Sequence, residues 1–281
     1  MADGSSMDFD HCRELALIPG SLFEFTSRFL PADKLEPMLA LYALRQAVST
    51  IPQGPADDAV KMAKLFWWSE EIVAEPGSTA RHPVLRALWR SGARARLGDA
   101  LLLRMVSDAL AQIDSVPDSD EKAMFERLAA PGATEIQLEL ALDGAEIDNQ
   151  SLKFLGAATS SFRFISGFSA KRTSGATRLP LSLLAKYNVS AAQLVQGSHT
   201  ADFAQIVTQM AEYALDWYSQ GMSVLSIFPE PSASKHLQLR WAMEKRRLNA
   251  IRQDARGLLE AGINFGPVDA WFAWRFLRKL R

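Results

Sequence analysis

Apolar residues recur at every third or fourth position along most of the 281-residue chain. This spacing places side chains on one face of an α-helix. Shorter series of this kind occur over residues 35–46 and 101–113, and the longest comprises Phe203, Ile206, Val207, Met210, Ala214, Trp217, Tyr218 and Leu225. Alternation of the strand type is short and infrequent, so the pattern predicts an all-α fold.

Proline, glycine and small polar residues are concentrated between the helical series. They form IPQGPADD at 51–58, EPGSTARHP at 75–83, SVPDSD at 115–120, APG at 130–132 and PEPSAS at 229–234. The chain has no repeat of fixed period and no long low-complexity linker. We therefore predict about eight to ten helices in a single-domain bundle over residues 21–281, after a flexible N-terminal segment of residues 1–20.

Composition narrows the classes of function. Hydrophobic residues make up 48% of the chain, which is enough for a sizeable core, and no apolar run approaches the roughly 20 residues that span a bilayer. The single cysteine, Cys12, excludes a disulfide framework, and the four histidines show no metal-binding spacing. These features are typical of a cytoplasmic protein in a reducing compartment, and we expect no nucleic-acid partner.

Charge is distributed unevenly along the chain. The net charge is −1, but residues 235–281 contain eleven Lys or Arg and only four Asp or Glu. Such a basic end predicts an anionic partner (a phosphate group, a lipid surface or an acidic protein) or, alternatively, a solvated face. The last helical segment is either a membrane-surface helix or a helix docked with its charges outward. Its candidate membrane-contact residues are Trp271, Phe272, Arg275, Arg278 and Lys279.

Acidic residues at helical spacing are candidate metal ligands. Mg²⁺ requires carboxylates that point into a shared pocket, and residues four apart lie on one face of a helix. The sets at this spacing are Glu71 with Glu75, and Glu135 with Glu139 and Asp143. Asp108 and Asp114, which flank the end of the helix predicted over residues 99–113, are further candidates. A solvated helix face is the commoner role of such sets, and the sequence leaves both alternatives open.

The segment ISGFSAKRTSGATRLP, residues 165–180, contains no acidic residue. It places Lys171 and Arg172 between two glycines, with Arg178 a few residues later. The N–H groups and cations of such a loop can hold a phosphate or diphosphate, although the segment matches no Walker-type motif and follows no strand. These three cations are therefore candidate anion-binding residues, and an exposed polar loop is the alternative.

Five segments follow one another in the order known for one enzyme family. They are FTSRFLPADKLEPMLALYAL at 25–44, WWSEEIVAEPGSTARHPVLRAL at 67–88, QID at 112–114, RLPLSLLAKYNVSAAQLVQG at 178–197 and WRFLRKLR at 274–281. The chain resembles the squalene/phytoene synthase family, which joins prenyl diphosphates head to head. The resemblance implies a class I isoprenoid synthase fold, a helical bundle around a central apolar cavity. It also implies two aspartate-rich motifs that bind Mg²⁺, which neutralises the diphosphate leaving group.

The positions of both aspartate-rich motifs are degenerate in this chain. Among the family's acidic positions we match only Asp114 and, less closely, Asp108. Cations in place of aspartates would not gather Mg²⁺. The degenerate positions are Ser49, Thr50 and Gln53 in the first motif and Gly167 and Lys171 in the second.

The resemblance implies two alternative functions. The first is a non-catalytic member, a pseudoenzyme without cofactors that binds a lipid or isoprenoid or assists assembly, peripheral to a membrane or bound to a protein partner. The family's complex I assembly factors similarly lack intact motifs. The second is an active prenyltransferase of terpenoid biosynthesis that condenses farnesyl or geranylgeranyl diphosphate. It would neutralise diphosphate with Lys171, Arg172 and Arg178, and recruit Mg²⁺ through Asp108, Asp114 or the Glu135 and Glu139 series.

Overall fold

The structure is a computed structural model that describes residues 3–74, 81–113, 116–168, 178–190, 201–225 and 235–280. Within these ranges the chain forms fourteen helices and no strand, so the prediction of an all-α fold is confirmed. The first seven helices are α1 (Asp3–Ala16), α2 (Leu22–Ser27), α3 (Ala32–Ser49), α4 (Asp58–Val73), α5 (Pro83–Arg90), α6 (Ala93–Leu97) and α7 (Asp99–Leu110). The others are α8 (Glu121–Asp143), α9 (Asn149–Ser166), α10 (Leu181–Lys186), α11 (Ala201–Val224), α12 (Lys235–Gln253), α13 (Ala255–Ala261) and α14 (Pro267–Lys279).

The number of helices exceeds the predicted eight to ten because several segments are divided into short helices. Gly92 and Gly98 have φ angles of 71° and 68°, in the region that favours glycine, and they separate α5, α6 and α7. Other boundaries are set by side-chain caps: Asp148 accepts a hydrogen bond from the N–H of Ser151 at the start of α9. Glycines and capping side chains within the helical regions therefore set the number of helices.

One compact unit consists of residues 1–115, 137–146 and 229–237. In this unit α1, α3 and α5 pack against one another, and α4 packs against α7. The centre of helix α3 is enclosed, because every side chain from Met38 to Leu44 is buried. Residues 3–16, which we predicted to be flexible, instead form α1. The reason is that Phe9, Cys12 and Ala16 lie on one helix face and are buried in this core.

A second compact unit consists of residues 116–136, 147–228 and 238–281. Helices α9 and α11 pack against each other, and α13 packs against α11. Helices α8 and α9 approach at Gly132 and Gly156, where a Cβ on Gly132 would overlap the backbone carbonyl of Gly156. No helix in the described ranges is both long and apolar enough to cross a membrane.

Candidate functional site

The first degenerate motif lies at the C-terminal end of α3. Ser49 is the last residue of the helix, and Thr50 is its C-cap. The hydroxyl of Thr50 donates to the carbonyl of Gln46 at 2.9 Å, which is a local bond that closes the helix. Gln53 is exposed in the following turn. These side chains cap and solvate the helix end, and none is a carboxylate.

The second degenerate motif begins at the C-terminal end of α9. Gly167 is the C-cap of this helix, with a φ of −73° that any residue can adopt. The backbone conformation at position 167 therefore does not require a glycine. Lys171 and Arg172 lie outside the described residues.

Inside the second unit, Glu135 of α8 is neutralised by two guanidinium groups. Its two carboxylate oxygens accept from Arg163 of α9 and from Arg240 of α12. Glu135 and Arg240 are both almost fully buried, whereas the Arg163 side chain is partly exposed. Both oxygens of this carboxylate are therefore occupied by cations of the chain itself, and a metal ion would have to displace them.

A second buried carboxylate, Glu244 of α12, lies close to this group. It accepts hydrogen bonds from the hydroxyl of Tyr218 on α11 and from the hydroxyl of Thr159 on α9, the latter at 3.1 Å. The guanidinium of Arg240 also lies 3.9 Å from Glu244. The interior of this unit therefore contains a connected polar network of two carboxylates, arginines and hydroxyls.

In the first unit, Glu139 has a different set of partners. The hydroxyl of Tyr42 donates to it at 2.7 Å, and the ring of His236 lies 3.5 Å away. His236 in turn contacts the hydroxyl of Thr26 at 3.1 Å. Phe23 stacks on Tyr42 with ring centroids 3.5 Å apart. This carboxylate is thus held by a tyrosine hydroxyl, with an imidazole nearby, among aromatic rings.

Asp143, the last member of the α8 acidic series, pairs with Lys34 at 3.3 Å. Burial raises the pKa of Asp143; Lys34 opposes the rise, and Glu139 adds to it. The Asp143 carboxylate therefore already has a partner in the protein, as the Glu139 carboxylate does. Its occupation by Lys34 favours a structural role for it.

The remaining acidic candidates are dispersed. Glu71 is buried and accepts from the backbone N–H of Arg81 at 3.0 Å. Asp108 lies near the end of α7, partly buried. Glu75 and Asp114 fall outside the described residues. Among the side chains that the structure does place, no group of three or more His, Cys, Asp or Glu is arranged to hold a metal ion.

Arg178, a predicted anion-binding residue, lies beside a buried ion pair. Asp118 accepts bonds from Arg127 at 2.7–3.0 Å. Burial lowers the pKa of Arg178, and the nearby Arg127 lowers it further, while Asp118 opposes both. The backbone N–H of Leu181 donates to the carbonyl of Asp118 at 2.8 Å, which fixes the two segments together.

An apolar groove of about 660 Å³ lies between the end of α3 and the first half of α4. Its lining includes two indole rings, and Lys64 and His82 are its polar members. The lining residues are Ala47, Ile51, Ala59, Val60, Ala63, Lys64, Trp67, Trp68 and His82. Ala47 and Ile51 flank Ser49 and Thr50 at the C-terminal end of α3, so the groove begins at the first degenerate motif.

His82 gives this groove a titratable imidazole. Burial lowers its pKa, and the charges of His11 and Arg86 lower it further, while Glu71 raises it. The Nδ1 atom of His82 accepts a hydrogen bond from the N–H of Val84 at 3.2 Å, which caps α5. The neutral ring is therefore the form that the folded protein favours.

The candidate membrane-contact helix, α14, is docked on the second unit through one face. Asp269 is buried and pairs with Arg246 at 3.2 Å and with Arg247. Trp271 points outward and is exposed, whereas Phe272 is partly buried beneath Arg246. Arg275, Arg278 and Lys279 are exposed. One face of the helix is thus packed on protein, and a basic, tryptophan-containing face remains outward.

Comparison with known proteins identifies the class. A squalene synthase HpnC from Alicyclobacillus acidocaldarius has a TM-score of 0.66 and 18% identity, with 90% of this chain and 96% of that chain covered. A dehydrosqualene synthase solved in complex with a ligand has a TM-score of 0.69 and 16% identity, with 98% and 96% covered. At these identities the likeness shows the fold, which is the all-α isoprenoid synthase fold.

The family follows from a separate comparison. The family model for squalene/phytoene synthase matches residues 20–262. The chain belongs to the squalene/phytoene synthase family, as the order of its segments predicted. A comparison with curated proteins gave no match.

Sequence reasoning found the acidic series of α8 but missed the partners of these carboxylates. Arg240 and Glu244 are four residues apart on α12, a spacing that could have been recognised as one charged helix face. Their burial could not, because most such faces are solvated. The groove had a clearer signal: Val60, Ala63 and Trp67 recur at helical spacing on α4.

Proposed function

We propose that this protein is a non-catalytic member of its family that binds a lipid or isoprenoid chain in the groove between α3 and α4. The observation that carries the proposal is the position of this groove. It begins at Ala47 and Ile51, which flank the first degenerate motif. Beside the positions where the family's chemistry requires carboxylates, this chain has a mainly apolar groove.

The groove has the composition that a prenyl or acyl chain requires. Binding sites for apolar molecules are concave, mainly apolar and equipped with a few polar groups that orient the ligand. Trp67 and Trp68 supply broad apolar surfaces, and Lys64 supplies a cation for an anionic or hydroxyl head group. The neutral form of His82 avoids adding a desolvated charge beside the chain.

The non-catalytic part of the proposal is supported by the charges inside the second unit. Ionisation of a prenyl diphosphate needs Mg²⁺ held by carboxylates. Glu135 is paired with Arg163 and Arg240, and Glu244 is engaged by two hydroxyls. Such a carboxylate would have to lose its present partners before it could bind a cation.

A catalytic assay tests the first part of this proposal. The purified full-length protein is incubated with farnesyl or geranylgeranyl diphosphate and Mg²⁺, and released pyrophosphate is measured. We expect no release above that of the protein-free solution. Turnover that is abolished by Asp108→Asn or Asp114→Asn would identify an active prenyltransferase and overturn the proposal.

A binding assay tests the second part. A fluorescent farnesol derivative is titrated into the wild type, into Ala63→Trp, which fills the groove, and into Ala100→Trp, which adds an indole at an exposed site of α7. We expect a loss of affinity of at least about tenfold for Ala63→Trp and no change for Ala100→Trp. Equal affinity in all three proteins would exclude this groove as the site.

A further inference from the structure

Helix α14 has an inner face that fixes it firmly to the second unit. Asp269 receives Arg246 and Arg247 of α12, and it also accepts the N–H of Gly266 at 2.9 Å at the start of the helix. Ala273, one turn later, is fully buried. The orientation of the helix is therefore set by contacts that do not involve its outward side chains.

The outward face of α14 is apolar at three positions and contains no carboxylate. Val268, Trp271 and Trp274 have 64%, 56% and 51% of their surface exposed. They are spaced three residues apart, so they follow one side of the helix. The only acidic residue of α14, Asp269, points inward. Exposed tryptophans repeated along one helix face are uncommon on a surface that only water contacts.

Each of the two tryptophans carries an arginine one turn further along. The guanidinium of Arg275 lies 5.3 Å from the ring centroid of Trp271, and that of Arg278 lies 4.6 Å from the centroid of Trp274. Within the described residues, no carboxylate lies at ion-pair distance from Arg275, Arg278 or the neighbouring Lys279. The two indole and guanidinium pairs form one basic, aromatic face.

We propose that this face of α14 lies on the surface of a bilayer that contains anionic lipids. Indole rings favour the boundary between head groups and acyl chains, and guanidinium groups bind lipid phosphates with several hydrogen bonds. A bilayer surface offers the head-group boundary and lipid phosphates side by side. The two tryptophan and arginine pairs of α14 match this arrangement. Because the opposite face is already packed on protein, the helix contacts the lipid surface at a shallow depth.

Charge complementarity selects this occupant over an uncharged apolar partner. Three exposed cations in the last turn and a half of α14 attract the negative surface of an anionic bilayer, and salt screens this attraction. Many of the other arginines in the basic C-terminal region are engaged by acids: Arg240 pairs with Glu135, and Arg246 pairs with Asp269. Arg275, Arg278 and Lys279, by contrast, lie together on the exposed face of α14.

Vesicle flotation tests the proposal with the full-length protein. Vesicles of neutral phosphatidylcholine are compared with vesicles that also contain phosphatidylglycerol at about 30%. We expect the protein to float with the anionic vesicles only, and to dissociate as salt is added. The variant Arg275→Gln, Arg278→Gln, Lys279→Gln should partition at least about tenfold less. The double variant Trp271→Ala, Trp274→Ala should show a similar loss of partitioning.

A matched control distinguishes the effect of this face of α14 from the effect of lowering the positive charge of the protein in general. The variant Lys122→Gln, Arg252→Gln, Arg256→Gln removes three exposed cations elsewhere in the same unit, and its partitioning should stay within about twofold of the wild type. Circular dichroism of each variant establishes that the fold is kept. Equal losses in both triple variants, or binding to neutral vesicles alone, would overturn the proposal. Absence of binding to any vesicle would do the same.

Discussion

The carboxylate of Glu135 and the guanidinium of Arg240 form an ion pair in which both side chains are almost fully buried. Arg163 contacts the same carboxylate from a partly exposed position. Water can therefore reach the Glu135 carboxylate from the side of Arg163 more readily than from the side of Arg240. This difference gives a direct test of what holds the second unit together.

Replacing Arg240 with Met should reduce the free energy of unfolding by about 3–5 kcal/mol, because Glu135 would keep a buried charge with poorer compensation. Replacing Arg163 with Met should cost about 1 kcal/mol, since water can solvate the exposed side. Urea denaturation measures both changes. The double variant Glu135→Gln, Arg240→Met should recover part of the loss. Equal costs for the two single variants would contradict this account.

Cys12 should be protected from thiol reagents in the folded protein. Burial raises its pKa from 9.0 to about 12, and the nearby Asp8 contributes to the rise. At pH 8 the thiolate fraction is lowered roughly a thousandfold, and the thiolate is the reactive form. We expect no modification by a maleimide in buffer and full modification in urea. An engineered cysteine at the exposed Ser107 is the positive control, and rapid native labelling of Cys12 would show that α1 is not packed as described.

The stability of the protein should fall on acidification because of His82. The lowered pKa of this ring means that the unfolded chain binds more protons just below the ordinary histidine pKa of about 6.5. Its stabilising contribution is complete above that pH and decreases as the pH falls to the lowered value. His82→Asn keeps an acceptor for the N–H of Val84 but does not titrate. Its unfolding free energy should vary less with pH in this window, and identical profiles would refute the assignment.

Gly132→Ala should destabilise the second unit by about 1–3 kcal/mol or more, because the added methyl would overlap the backbone of α9. Gly54→Ala is a suitable control, since its Cβ would lie 3.4 Å from the nearest atom, an ordinary contact. Chemical denaturation compares the two variants. A cost for Gly132→Ala no greater than that of Gly54→Ala would show that α8 and α9 do not approach this closely.

The helical spacing of apolar residues was sufficient to predict the fold class, because a single buried face repeats with the period of the helix. The apolar series over residues 35–46 lies within α3, and the series over residues 101–113 begins in α7 and extends three residues beyond it. The flexible N-terminal segment was predicted from its polar composition. In the structure, Phe9 and Cys12 bury one face of it against α3 and α5. A few apolar residues are enough to pack a polar helix against a core when they share one helix face.

The sequence by itself determined the family, the helical class and the loss of carboxylates at Ser49, Thr50 and Gly167, because these depend on residue identity and order. Only the tertiary structure decided the partners of each remaining charge. The partners of Glu135 are 28 and 105 residues away along the chain, and those of Glu139 include Tyr42, 97 residues away. No local pattern specifies such distant pairs, because they arise only when packing removes water from both groups.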